Sequence, residues 1–330
     1  MLIKKSVLLL LLLLLSLGLF ACQDVQTAAP PELPERLPVV EEVEATTVRV
    51  YYATTDHRYL VPLNLSINAT RDAASVALEL LLAGPPNSFV GAVVPADTKL
   101  LDLYSIDNIV YVNLTYEFAE VAYENARLAV ESILCTILPL AEGRTLQILI
   151  EGRVIDSLGP VDISMPLALP FVNLHAADRA LLSAGYSGLI LTYYLSDNMS
   201  MYLVPQTMLY LTAPGIIPTP EAQARVVVER LLQNTGPDSS LFSPFWAGTE
   251  LLGTSVYNGV AYIDFSASLL AYDGGTSFEM LMLEALLFTL CGLPDIEAVQ
   301  ILIEGQKITN LPEGADISRP LAPIIPLNNI

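Results

Sequence analysis

An α+β fold written twice in tandem is what this sequence predicts, and three observations predict it. Gln147-Ile148-Leu149-Ile150-Glu151-Gly152 recurs unchanged as Gln300-Ile301-Leu302-Ile303-Glu304-Gly305, 153 positions later. Other landmarks keep the same order at offsets drifting from 142 to 154: Tyr51-Tyr52 with Tyr193-Tyr194, Leu60-Val61-Pro62 with Leu203-Val204-Pro205, Gly84-Pro85 with Gly236-Pro237, and Asp162-Ile163-Ser164 with Asp316-Ile317-Ser318. A period this long exceeds the 20–50 residues of a solenoid repeat, so it marks a duplicated globular domain. Within each copy, β-rich runs and helical periodicities alternate in the order β-β-α-β-β-α-β. That order predicts a sheet with two helices packed on one of its faces.

In the first copy, Thr47–Tyr52 and Tyr59–Ile67 are rich in β-branched and aromatic residues and read as strands. Asp72–Ala83 has the apolar spacing of a helix, and Gly84-Pro85 stops it: glycine permits a left-handed turn and proline bars continuation. Thr98–Ile106 and Ile109–Thr115 flank Asp107-Asn108, a hairpin signal. Glu120–Leu138 predicts the second helix, ended by Pro139, and Thr145–Glu151 the last strand. The second copy repeats this plan. Thr219-Pro220-Glu221 supplies an N-cap, a first-turn proline and an acid facing the positive helix end. Asn258-Gly259 is a two-residue hairpin turn, and Thr276-Ser277-Phe278-Glu279 has the form of a capping box.

Before the repeats, Lys4 and Lys5 precede a leucine-rich run from Val7 to Phe20. Fourteen residues are too few to cross a bilayer core about 30 Å thick, but they suit the apolar region of a secretory signal. The run ends Leu19-Phe20-Ala21-Cys22, which resembles a bacterial lipobox. It implies cleavage before Cys22 and a diacylglycerol on its thiol. Loss of residues 1–21 removes both lysines and takes the formal net charge from −20 to −22. Gln23 to Thr46, with Pro30, Pro31, Pro34 and Pro38 followed by three glutamates, reads as a semi-rigid stalk.

The expected organisation is therefore a signal peptide (1–21), a lipidated cysteine with an acidic proline-rich stalk (22–46) and a first domain (47–167). A linker (168–188), a second domain (189–322) and a C-terminal tail (323–330) follow. With 35 acidic against 15 basic residues, the chain is repelled by phosphate backbones, which excludes nucleic acid as a partner class. The expected location is a bacterial membrane, tethered by the N-terminal lipid and facing away from the cytoplasm.

Catalytic and metal-binding patterns are not found. The two histidines, His57 and His175, fall at non-equivalent positions and in no ligand spacing. Cys135 and Cys291 lie late in the second helix of each copy among Leu and Ile, and read as buried apolar thiols. Ser196-Asp197-Asn198 matches one element of a serine β-lactamase signature without its companions, and is better read as a turn. Asn113 in one copy answers to Asp264 in the other, an exchange that disfavours a paired-carboxylate hydrolase. Glu151 and Glu304 persist in both copies and read as strand-end turn residues. No catalytic group, cofactor or metal is expected.

One helix carries more apolar surface than a single packing face needs. Phe278 to Leu293 is apolar nearly all round, whereas its counterpart carries Glu124, Asn125, Arg127 and Glu131. The surplus meets the other copy, a protein partner, or the chain's own connecting or C-terminal segment; Met282 and Leu286 are the candidate partner residues.

The ordered landmarks, found twice, resemble the GerMN domain family. They are the aromatic opening strands Val48–Tyr52 and Leu191–Tyr194, the Leu-Val-Pro that follows, Leu81-Leu82-Ala83-Gly84-Pro85 and its looser counterpart at Leu231–Pro237, the Thr-x-Leu-Leu hairpin start, and Gln-Ile-Leu-Ile-Glu-Gly. The resemblance spans about residues 47–167 and 189–322. It implies a fold similar to ring-building modules of trans-envelope channels, and a non-catalytic role in sporulation or germination. The leading expectation is an envelope-anchored assembly protein whose domains bind envelope proteins or self-associate. The alternative is a module for peptidoglycan or another wall glycan, with Tyr104, Tyr111, Tyr257 and Tyr262 stacking on sugars.

Overall fold

The computed structural model describes residues 35–41, 43–141, 143–174, 187–197, 200–210, 218–233 and 240–330. The predicted signal, Cys22, the proline-rich part of the stalk to residue 34, His175 and Asn198 lie outside them. Arg36–Ile330 form one unit.

The order β-β-α-β-β-α-β holds in both copies. In the first it begins with a short strand ahead of the repeat, β1 (Leu37–Pro38), then β2 (Ala45–Ala53) and β3 (Leu60–Thr70). Helix α1 (Ala73–Ala83) follows and ends at Gly84, whose φ of 94° is the left-handed stop its sequence predicts. Next come β4 (Leu100–Ile106), β5 (Ile109–Leu114), a 3₁₀ turn at Tyr116–Glu120, α2 (Ala126–Ile137) and β6 (Thr145–Ile150). Asp107 and Asn108 both have positive φ, as the tight hairpin requires. The predicted helix over 120–138 is thus shorter and begins at Ala126, because the 3₁₀ turn ends at Glu120 and residues 121–125 form a connecting turn.

The strands of a copy do not form one sheet. β2 and β3 pair only with each other among the main strands, while β4, β5 and β6 form a separate ladder, β4–β5 antiparallel and β5–β6 parallel. The parallel pair follows from α2, which carries the chain back to the starting end. Both helices pack on the β2–β3 hairpin. Hydroxyls of α2 satisfy the outer edge of β2: Thr136 Oγ1 accepts from the Tyr51 N–H at 3.1 Å, and Ser132 Oγ donates to the Tyr51 carbonyl. β1 extends the other ladder by pairing with β4, so the predicted stalk is docked from Leu37 onward, and Val39 is buried. A small hairpin, β7 (Ser157–Leu158) with β8 (Val161–Asp162), and β9 (Leu167–Ala168), paired to β6, complete the copy.

The second copy runs β10 (Ser187–Asp197), β11 (Ser200–Tyr210), α3 (Pro220–Leu232), β12 (Leu241–Phe242), β13 (Leu251–Tyr257), β14 (Val260–Phe265), α4 (Gly275–Leu290) and β15 (Ala298–Ile303). The Thr219 cap forms, its hydroxyl accepting from the Ala222 N–H at 3.2 Å. The predicted capping box does not. α4 starts earlier, after Gly274, and Glu279 turns inward to a different duty. Among the described residues no helix is long and apolar enough to cross a membrane.

Candidate functional site

The residues that recur in both copies are the first candidates, and the structure gives four of the pairs one task each. Gln147 and Gln300 are buried and donate from Nε2 to the carbonyls of Ile163 (2.8 Å) and Ile317 (2.9 Å). This is why Gln-Ile-Leu-Ile-Glu-Gly and Asp-Ile-Ser recur together: one holds the other. Asp162 and Asp316 each accept from the N–H (2.9 Å) and hydroxyl (2.6 Å) of the serine two residues on, closing a turn. Those serine bonds hold both carboxyls below the usual carboxylate range. Glu151 and Glu304 sit at φ 49° and accept from the first N–H of a 3₁₀ turn, that of Tyr116 in Tyr116–Glu120 (3.1 Å) and that of Ala267 in its second-copy counterpart Ala267–Ala271 (2.9 Å). Asn113 and Asp264 accept from the N–H of Gly152 (2.7 Å) and Gly305 (2.8 Å). Only an acceptor oxygen is needed there, so amide and carboxylate are interchangeable.

The remaining recurrent motif, Leu-Val-Pro, leads to the seam between the copies, where β3 and β11 face each other. Asn173 Oδ1 accepts from the Leu60 N–H (2.7 Å), and its Nδ2 donates to the carbonyls of Leu60 (2.8 Å) and Pro205 (2.6 Å). Asn328 does the same with the copies exchanged. It accepts from the Leu203 N–H and donates to the carbonyls of Leu203 and Pro62, all at 2.8 Å. Both asparagines have positive φ, 53° and 50°. The copies are therefore joined with local two-fold symmetry by two carboxamides, each supplied by the segment that follows one domain. Sequence reasoning placed Asn173 in a linker and Asn328 in a tail. The one available signal was the repeat itself, which extends to these residues at an offset of 155.

A cleft of about 470 Å³ opens beside this seam, walled by Pro62, Pro205, Phe171 and Phe288, and both cysteines line it. They are free thiols. Burial, and secondarily the charge of Glu131, pushes the Cys135 thiol up; burial alone raises that of the more exposed Cys291. Since the thiolate is the nucleophile, a maleimide time course read by mass spectrometry is expected to modify Cys291 before Cys135, both more slowly than a free thiol. Equal labelling at the free-thiol rate would sink this placement.

Met282 and Leu286 are each 1% exposed, so neither presents a side chain to a partner. The apolar surplus of α4 is taken up inside the chain: Leu203 of β11 and Leu327 of the C-terminal segment pack with Ala285, and Leu281 and Phe288 lie against them. What remains open is a groove of about 290 Å³ between α4 and the C-terminal segment, bordered by Met280, Ile324 and Ile325. The tyrosine set also divides. Tyr104 and Tyr111 are cross-strand neighbours stacked at 5.1 Å, and Arg36 lies over the Tyr104 ring at 4.3 Å. Tyr104 is buried, whereas Tyr257 is 69% exposed. His57 stands in the β2–β3 turn, at the edge of a cleft of about 610 Å³ shared with Arg58, Arg127 and Glu131. Among the described residues, no three His, Cys, Asp or Glu side chains group as a metal site would require.

A sequence family described as "Germane: Sporulation and spore germination" matches the chain twice, over residues 49–156 and 192–309. The Spore germination protein GerM of Bacillus subtilis (strain 168) is 23% identical over 294 residues, covering 86% of this chain and 78% of that protein. The solved tandem GerMN domains of the sporulation protein GerM from Bacillus subtilis match at a TM-score of 0.64 and 20% identity, over 84% of this chain and 98% of that one. At that identity the likeness is one of fold, and it extends over both copies.

Proposed function

From its membership of the Germane family of sporulation and spore germination, to which this chain belongs with two GerMN domains in tandem, we propose that it is a non-catalytic assembly protein. In this reading a lipid on Cys22 tethers it to the outer side of a bacterial membrane, and its paired domains bind other envelope proteins. One observation carries the non-catalytic part. Four pairs of polar residues at equivalent positions are spent on holding the fold, in the same bonds twice: Gln147 and Gln300, Asp162 and Asp316, Glu151 and Glu304, Asn113 and Asp264. These shared groups are aimed at the chain's own backbone.

Two fractionation experiments test the reading. In cells, cross-links to envelope proteins are expected for the membrane-bound chain, and Cys22→Ser is expected to release it from the membrane fraction. Purified protein is then mixed with insoluble wall material stripped of protein. Saturable sedimentation with that material overturns protein assembly in favour of glycan binding.

A further inference from the structure

The duplication supplies its own comparison for one sheet edge. In the first copy the outer edge of β4 is covered. β1 pairs with it at Tyr104 and Ser105, and Arg36 completes the contact by lying over the Tyr104 ring and reaching Asp102 at 3.4 Å. The corresponding strand of the second copy is β13, with Ser255 and Val256 at the positions of Tyr104 and Ser105, and Gly253 at that of Asp102. Among the described residues β13 pairs with β14 alone, on its inner side. No described strand therefore pairs with the backbone N–H and C=O groups of its outer side.

Proteins usually protect such an edge with charge, proline, a bulge or a covering segment. From Leu251 to Tyr257 there is no charged residue and no proline, in a chain with 50 ionised Asp, Glu, Lys and Arg side chains. The protection present is a bulge between Leu251 and Gly253, which leaves Gly253–Tyr257 regular. The segment Arg36–Pro38 of another molecule is a poor occupant, because neither the ring nor the carboxylate that Arg36 uses on β4 exists on β13.

We propose that β13 is a self-association edge, on which a second copy of this chain pairs antiparallel through its own β13. A two-fold axis at Ser255 then joins two three-stranded ladders into one of six strands. In that register Tyr257 lies opposite Gly253 of the second copy, and Thr254 opposite Val256. The exposed aromatic ring covers the strand position that has no side chain, and two β-branched residues meet on the helix-covered face. No like charges oppose each other across the pair. At longer range the two molecules repel, each carrying a net charge near −20, and salt screens that repulsion over about 8 Å at physiological strength. Added salt therefore strengthens the dimer. This proposal narrows the assembly reading above to one edge and one occupant, and it fails independently of partner capture in cells.

The test is sedimentation velocity on the chain from Gln23 onward, which retains the whole unit Arg36–Ile330, over about 1–100 µM protein at low and high salt. Dimers that grow with concentration and salt are expected. Ser255 is exposed, so Ser255→Glu and Ser255→Lys keep the fold, as circular dichroism checks. Each is expected to be monomeric alone, because the axis sets like charges face to face. An equimolar mixture of the two is expected to regain the dimer. A wild-type chain that stays monomeric, single variants that dimerise as the wild type does, or a mixture that fails to associate each overturns the proposal.

Discussion

Replacing Asn173 by alanine is expected to cost about 3–5 kcal/mol of folding stability, because three buried backbone groups lose their partner at once and each orphaned group costs about 1–3 kcal/mol. A graded series separates the side chain from the backbone. Asn173→Gly keeps the left-handed conformation without strain but loses the same bonds, so it falls slightly short of the alanine effect. Asn173→Asp keeps the acceptor for Leu60 N–H and turns the donor into an anion facing two carbonyls, so it is the worst of the three. The same ranking is expected at Asn328, whose carboxamide faces the mirrored set of groups. Denaturant titration measures the midpoint. The wild-type copies are expected to unfold in one transition; the Asn173→Ala, Asn328→Ala double variant is expected to show two, one per copy. A double variant that unfolds in one transition, with a loss under about 1 kcal/mol, would show that the seam is held elsewhere.

Glu279→Ala comes next in expected size. Glu279 is fully buried on α4, and its carboxylate accepts from the N–H groups of Glu313 and Ala315, both at 2.7 Å, and from the Tyr272 hydroxyl. Hydrogen bonds to a charged acceptor are worth about 1.5–3 kcal/mol, so removing three is expected to destabilise by about 3–5 kcal/mol after partial relaxation. Glu279→Gln keeps the volume and one acceptor but points an amide N–H₂ at a backbone donor, so about half that loss is expected. Hydrogen exchange locates the effect: the amides of Glu313 and Ala315 should exchange faster in both variants, while those of β4–β6 should not change. Burial first, and the bond to Glu279 second, hold the Tyr272 hydroxyl above its ordinary range. In Glu279→Gln its titration should therefore move down yet remain raised. An unchanged melting midpoint with unchanged exchange at both amides would falsify this role.

Glu279 also shows how far the sequence could be read. It stands three residues after Thr276, the spacing of a capping box, and local sequence offers no reason to reject that assignment. What decides it is the loop at 313–315, more than thirty residues away, whose two N–H groups converge on the carboxylate. Met282 and Leu286 were legible as surplus apolar residues, but periodicity cannot say whether surplus surface meets a partner or the chain itself. Here Met282 and Leu286 belong to the main hydrophobic core, and Leu203 of β11 and Leu327 of the C-terminal segment pack on α4 at Ala285, so the candidate interface is interior.

The sequence by itself determined the α+β class, the duplication, the hairpin turns, the Thr219 cap and the landmarks of the GerMN family. All of these rest on interactions within a few residues, or on a repeat that can be counted. The tertiary structure alone decided how the strands divide between ladders, that the segments after each domain join the copies, and that β4 is covered by β1 where, among the described residues, β13 has no such cover. Those outcomes depend on backbone groups far apart in the chain. Asn173 bonds residues 113 and 32 positions away, and Asn328 residues 266 and 125 positions away. A linker asparagine and a tail asparagine carry no local mark of this, because the groups that make them essential are brought to them only by the fold.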